Sequence, residues 1–128
     1  MATFDDVAAA ADGLPEVART GGAGSQSWAV AGKTFAWERQ FSKADLRRYG
    51  DTAPPGGPIL AVRVADLGEK EAVLAAGHPG IFTIEHFNRY PAVLVQLDAV
   101  DPAVLRDTVV DGWLACAPAR LTRAYLRP

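Results

Sequence analysis

Residues Ala92 to Leu97 run Ala-Val-Leu-Val-Gln-Leu directly behind Tyr90-Pro91, so that both alternating sets of side chains are largely apolar. A short run of this kind, opened by a proline, reads as a strand central in a sheet and buried on both sides. The rest of the chain must therefore provide the strands beside it and the helices that cover it. Its 128 residues suit one domain. At this size a folded chain buries roughly two-thirds of the surface its unfolded form exposes, enough for a core without staples. A hydrophobic content of 49% fits a globular chain and excludes intrinsic disorder, a coiled coil and a collagen-like repeat.

Further strands and helices follow from periodicity and punctuation. Thr3-Phe-Asp-Asp6 has the form of a capped helix start, and Phe4, Val7, Ala8, Ala11 and Leu14 make one apolar stripe before Gly13 and Pro15. Gly21-Gly-Ala-Gly24 is a flexible connection. Trp28 and Val30, then Phe35 and Trp37, alternate on either side of Ala31-Gly32, which predicts a β-hairpin. Ser42 to Asp45 caps a brief helix over Lys43 to Tyr49, stopped by Gly50. The Pro- and Gly-rich stretch 51–58 is the clearest breaker in the chain, and residues 41–58 read as a loop or insertion. Ile59 to Val64 is a third strand, Asp66 to Gly77 a helix, and Ile81 to Glu85 a fourth strand. Asp101-Pro102 opens the last helix, which carries Leu105, Val109, Trp113 and Cys116 on one face and ends before Pro118. The expected architecture is a single α+β domain with a mostly antiparallel sheet of about five strands and helices packed on it.

Several of these segments have a family likeness. Leu14-Pro15-Glu16-Val17, Val30 to Ala36, Ile81 to Phe87, Tyr90 to Leu97, and Asp111-Gly-Trp113 with Ala117 to Leu121 resemble, in this order, the MmcQ/YjbR-like proteins. The likeness spans most of the chain outside residues 41–58. It departs from the pattern at Asn88-Arg89, where relatives carry a smaller turn, and at Gln96, where an arginine is often found. The resemblance implies a small bacterial α+β domain with a double-wing-like fold, DNA as the binding partner, and no established catalytic set.

Charge position says more than charge total. The formal net charge is −2, which argues against a chain-wide affinity for nucleic acid. Yet residues 33–49 carry Lys33, Arg39, Lys43, Arg47 and Arg48 against Glu38 and Asp45. The last twelve residues carry Arg120, Arg123 and Arg127 with no acid. These two +3 segments sit on a body of −8. If they adjoin in space they form one patch able to contact phosphates along a groove. The bland alternative is a solvated helix face and a loose tail. A second candidate is the strand edge at His86, Arg89 and Tyr90, suited to a small anion or a protein partner. There the bland alternative is a hydrogen-bonded histidine at the rim of the core.

Catalytic chemistry finds little support. Cys116 shares a helical face with Val109 and Trp113 near a helix C-terminus, and both burial and the helix dipole disfavour a thiolate there. His78 and His86 lack the spacing of a helical ligand pair, and one cysteine makes no zinc site, so neither a metal nor a cofactor is expected. Asp5-Asp6, Asp98, Asp101, and Glu69 and Glu71 around Lys70 read as helix-terminal or exposed charges. Gly21 to Gly24 lacks the end of a phosphate loop, and Ser25 and Ser27 lack a nucleophile elbow. The three tryptophans fall at core positions, Trp37 least securely because it lies in the basic hairpin. No apolar run approaches the roughly 20 residues of a membrane span, and the first residues lack the basic start of a signal peptide. A cytoplasmic, non-enzymatic binding protein is the expectation.

Overall fold

Each helix start foreseen from the sequence is closed by its own cap in the computed structural model, which describes residues 2–22 and 24–126. In α1 (Phe4–Asp12) the Thr3 backbone N–H donates to the Asp6 carboxylate at 2.8 Å. In α2 (Lys43–Tyr49) Ser42 and Asp45 form a reciprocal capping box, and Asp66 accepts from the Glu69 N–H at the start of α3 (Leu67–Ala75). Asp101 with Pro102 opens α4 (Pro102–Cys116). Such caps satisfy N–H groups that a helix leaves without partners.

The strands are β1 (Val17–Thr20), β2 (Ser27–Val30), β3 (Lys33–Glu38), β4 (Ile59–Arg63), β5 (Ile81–Phe82) and β6 (Ala92–Gln96). They form one sheet in the order β1-β2-β3-β4-β6-β5, with every pairing antiparallel. The α+β architecture is as expected, with β6 between two neighbours and all but its last residue buried. The strand not foreseen is β1. It follows Glu16, whose φ of 57° turns the chain sharply, and it lies exposed at the sheet edge, so its residues show no apolar alternation.

The first face of the sheet is sealed by α1 and α4. Trp28, Val30, Phe35, Leu60, Val62, Val95 and Leu97 meet Val7, Ala11, Leu105, Val109 and Trp113 there. Close seating of α4 requires Gly112, since a Cβ would stand 2.6 Å from Val62 Cγ1 and 3.3 Å from the carbonyl oxygens of Arg63 and Phe35. A bulge in the hairpin corrects one expected pairing of faces. Trp28 opposes Ala36 and Ala29 opposes Thr34, which leaves Phe35 extra. Both Phe35 and Ala36 therefore belong to the first-face core, whereas Trp37 packs on the second. The expected loose tail is also a helix, α5 (Ala119–Leu126), with the Tyr125 ring centre 5.1 Å from that of Trp113 and tilted 56° to it.

The second face carries a smaller core of Ile59, Ala61, Ile84, Phe87, Ala92 and Leu94, against which Trp37, Phe41, Tyr49 and Phe82 pack. The α2 helix and residues 83–91 lie over it. Among the described residues no helix is long and apolar enough to cross a membrane.

Candidate binding face

The short helix α2 is pinned to the second face at both ends. Phe41 stands 5.8 Å from Tyr49 and 6.4 Å from Phe82, ring centre to ring centre. Between them Asp45 is 3% exposed, and its carboxylate accepts from the Ser42 N–H and from Arg39 Nη2, both at 2.9 Å. Arg48 approaches the same carboxylate at 3.5 Å. Burial by itself pushes the Asp45 carboxyl up, but the bonds from Ser42 and the Arg39 cation together outweigh it and hold the group below the ordinary aspartate range. Arg39 and Arg48 are thereby held in fixed positions, while Lys43 and Arg47 remain exposed.

The expected strand over Ile81 to Glu85 ends at Phe82, and the chain instead turns through a 3-10 helix, Glu85–Phe87. Phe87, Asn88 and Tyr90 donate their N–H groups back to Ile84, Glu85 and Phe87 at 2.9–3.1 Å. Burial of Phe87 in the second core drives this turn, because a strand continued to Glu85 would not bring Phe87 under the sheet. His86 accordingly sits exposed on the turn, beside Phe87 (5.9 Å between ring centres), not at a strand end. Arg89 and Tyr90 are exposed as well.

The turn and α2 adjoin. Arg39 lies over the Phe87 ring at 5.5 Å, and Arg48 Nε approaches Glu85 at 3.8 Å. Tyr90 packs edge-on against Trp37 at 6.3 Å and Phe87 at 5.4 Å, with the Arg63 guanidinium 5.3 Å over its ring. The first basic segment and the turn that carries His86, Arg89 and Tyr90, about forty residues apart in sequence, thus meet through Arg39 and Arg48. Residues 39–49 and 84–90 hold Arg39, Lys43, Arg47, Arg48 and Arg89 against only Asp45 and Glu85. A recess of about 200 Å³ opens between them, lined by Asp45, Arg48, Tyr49, Thr83, Ile84 and Glu85. None of His86, Arg89 and Tyr90 lines it.

The remaining basic residues lie elsewhere. Lys33 begins β3 and Arg39 follows its end, so about 20 Å of extended chain separates them. Arg120 forms a two-pronged pair with Glu16 at 2.7 and 3.1 Å, and Arg123 Nε donates to its own helix at Ala119. Glu16 precedes β1, whose Val17 opposes Val30, and this is the Lys33 end of the hairpin. Arg127 lies outside the described residues. The two basic segments therefore do not meet as one patch: Lys33, Arg120 and Arg123 belong to the opposite end of the sheet.

Sequence reading missed one residue of the face entirely. Lys70, flanked by exposed Glu69 and Glu71 and taken for a surface charge, is 4% exposed. Its Nζ donates to the carbonyl oxygens of Phe87 and, at 2.9 Å, Tyr90. Burial pushes its ammonium down from the ordinary lysine range. Cys116 is packed as expected, 8% exposed, and burial pushes its thiol up despite the nearby charges of Arg63 and Lys33. No group of three or more histidine, cysteine or carboxylate side chains is placed to hold a metal among the described residues.

An open antiparallel sheet sealed on one face and carrying a cationic, aromatic-backed turn on the other defines a small α+β domain. No protein-family model matches the chain. It is 43% identical over 130 aligned positions to the uncharacterized proteins Rv2570 of Mycobacterium tuberculosis and Mb2600 of Mycobacterium bovis, covering 98% of this chain and 97% of theirs. The chain belongs to the family of these mycobacterial proteins. Its fold is similar to that of protein DR2400 of Deinococcus radiodurans, a DUF419 domain, with a TM-score of 0.62 and 19% identity over all of this chain and 91% of that one.

Proposed function

We propose that this protein is a non-enzymatic binding protein that takes the phosphate backbone of DNA on the face built by α2 and the Glu85–Tyr90 turn. The observation that carries this reading is the exposure of Lys43 and Arg47 on α2 and of Arg89 on the adjoining turn, with Arg39 and Arg48 paired to Asp45. Paired arginines are pre-oriented and keep their charge, while the exposed cations are free to reach phosphates. The likeness to MmcQ/YjbR-like proteins supports the same partner, and the single cysteine fits a cytoplasmic setting. Lys33, Arg120 and Arg123 have no part in this face.

A salt titration of duplex DNA binding tests the proposal. Three phosphates neutralised by Lys43, Arg47 and Arg89 give log K falling against log salt with a slope of about −2.7. Absence of binding at low salt overturns the reading. The second reading, a small anion bound on this side of the sheet, is favoured by the recess that Arg48, Tyr49 and Thr83 line, and not by His86, Arg89 and Tyr90, which stand outside it. It predicts saturable binding of inorganic phosphate that Arg48→Gln abolishes, with no affinity for duplex DNA.

A further inference from the structure

A buried ammonium is costly unless the atoms around it repay its lost hydration. Lys70 is such a group, and it makes no ion pair with a carboxylate among the described residues. Its neighbours Glu69 and Glu71 point their charge to solvent. What it meets instead are two backbone carbonyl oxygens, of Phe87 and Tyr90, at the closing end of the 3-10 turn. The Phe87 carbonyl also accepts from the Tyr90 N–H at 2.9 Å and the Tyr90 carbonyl from the Ala92 N–H at 2.8 Å, so Lys70 fills the second acceptor position of each and adds a tie from outside the turn.

The placement matters because of what the turn carries. Residues 85–90 hold His86, Arg89 and Tyr90, and the turn meets the face through Phe87, the Arg48–Glu85 contact and the Tyr90 ring. The link from α3 crosses 17 residues to Phe87 and 20 to Tyr90, so it ties the turn to a separate rigid helix. An apolar side chain of the same length would fill the space without the cost of burying charge, but the two carbonyls would keep only their local backbone bonds and the turn would lose its tie to α3.

We infer that Lys70 is a positioning residue for the binding face: from α3 it fixes the Glu85–Tyr90 turn so that Arg89 is presented from a held backbone next to α2. This rests on the reading of that face as the DNA-binding surface. Lys70 itself does not touch the ligand.

The test pairs amide hydrogen exchange with DNA titration on Lys70→Met and Lys70→Arg. In Lys70→Met the Asn88 and Tyr90 amides lose protection by about tenfold or more, while amides of α1, α2 and α4 keep theirs. The same variant lowers the salt slope for duplex DNA by about 0.9, the share of one phosphate contact. Lys70→Arg, which keeps the donors, restores both. Lys70→Gln repeats the exchange measurement if the methionine variant does not fold. Turn amides that stay protected in Lys70→Met overturn the inference. So does a loss of protection spread evenly over the molecule, which marks a purely structural lysine. If the wild-type protein does not bind DNA, the face reading fails, and the exchange result alone then decides whether Lys70 holds the turn.

Discussion

The two faces of the sheet are built from the same strands but differ in what they bury. Under α1 and α4 the contacts are apolar, with Trp28, Phe35, Leu60 and Trp113 fully enclosed. Under α2 and the turn, the core is smaller, and both buried charged residues of the described chain, Asp45 and Lys70, lie there. Asp45 holds two arginines and the start of α2, and Lys70 holds the turn. Each spends desolvation to fix the direction of a cation-bearing segment. The comparison teaches that one face supplies the stability and the other the arrangement of charge, so that changes to each should separate cleanly in experiment.

The largest expected effect is on the sealed face. Trp113→Ala removes a fully buried indole whose Nε1 donates to the Pro15 carbonyl at 3.0 Å. It should cost about 3–5 kcal/mol in denaturant unfolding. The salt slope of DNA binding by the folded fraction should not change. A changed slope would mean that the two faces are not independent.

A smaller effect on stability, with a gain in binding, is expected at Asp45. Asp45→Asn weakens the cap of α2 and frees Arg39 and Arg48, costing about 1–2 kcal/mol and tightening DNA binding at low salt. Weaker binding would show that the arginines must be held to act. The same carboxylate sets an acid limit. Because its folded-state pKa lies below the unfolded value, its contribution is complete above about pH 4 and is lost as pH falls through the folded value. The wild-type protein should therefore lose more stability between neutral and acid pH than Asp45→Asn, measured by denaturant midpoints.

Much of the fold was legible because local chemistry and global packing agree. The caps at Thr3, Ser42, Asp66 and Asp101, and the apolar run Ala92 to Leu97, each state their element in a few residues. Where legibility ended, the deciding interaction was remote. Thr20 pairs with Ser27, so β1 exists only through its neighbour. The bulge at Phe35 moves Trp37 to the other face by one residue, which no alternation in the hairpin reports. The face itself was half readable: Arg39, Lys43, Arg47 and Arg48, and separately His86, Arg89 and Tyr90, stood out by charge. Their union depends on Phe87 folding under the sheet and on Lys70, whose neighbours Glu69 and Glu71 give it the look of a solvated lysine. Charge alone also placed Arg120 with the binding residues, though its partner is Glu16 at the far end of the sheet.

The central claim is that duplex DNA is held by one end of the second face and not by the chain's cations at large. It is tested most directly by comparing salt slopes for two multiple variants of equal charge change, Lys43→Gln/Arg47→Gln/Arg89→Gln and Lys33→Gln/Arg120→Gln/Arg123→Gln. The account predicts that the first loses about 2.7 from the slope, three phosphate contacts, while the second keeps the wild-type value. Equal losses in both, or a loss confined to the second, would contradict it.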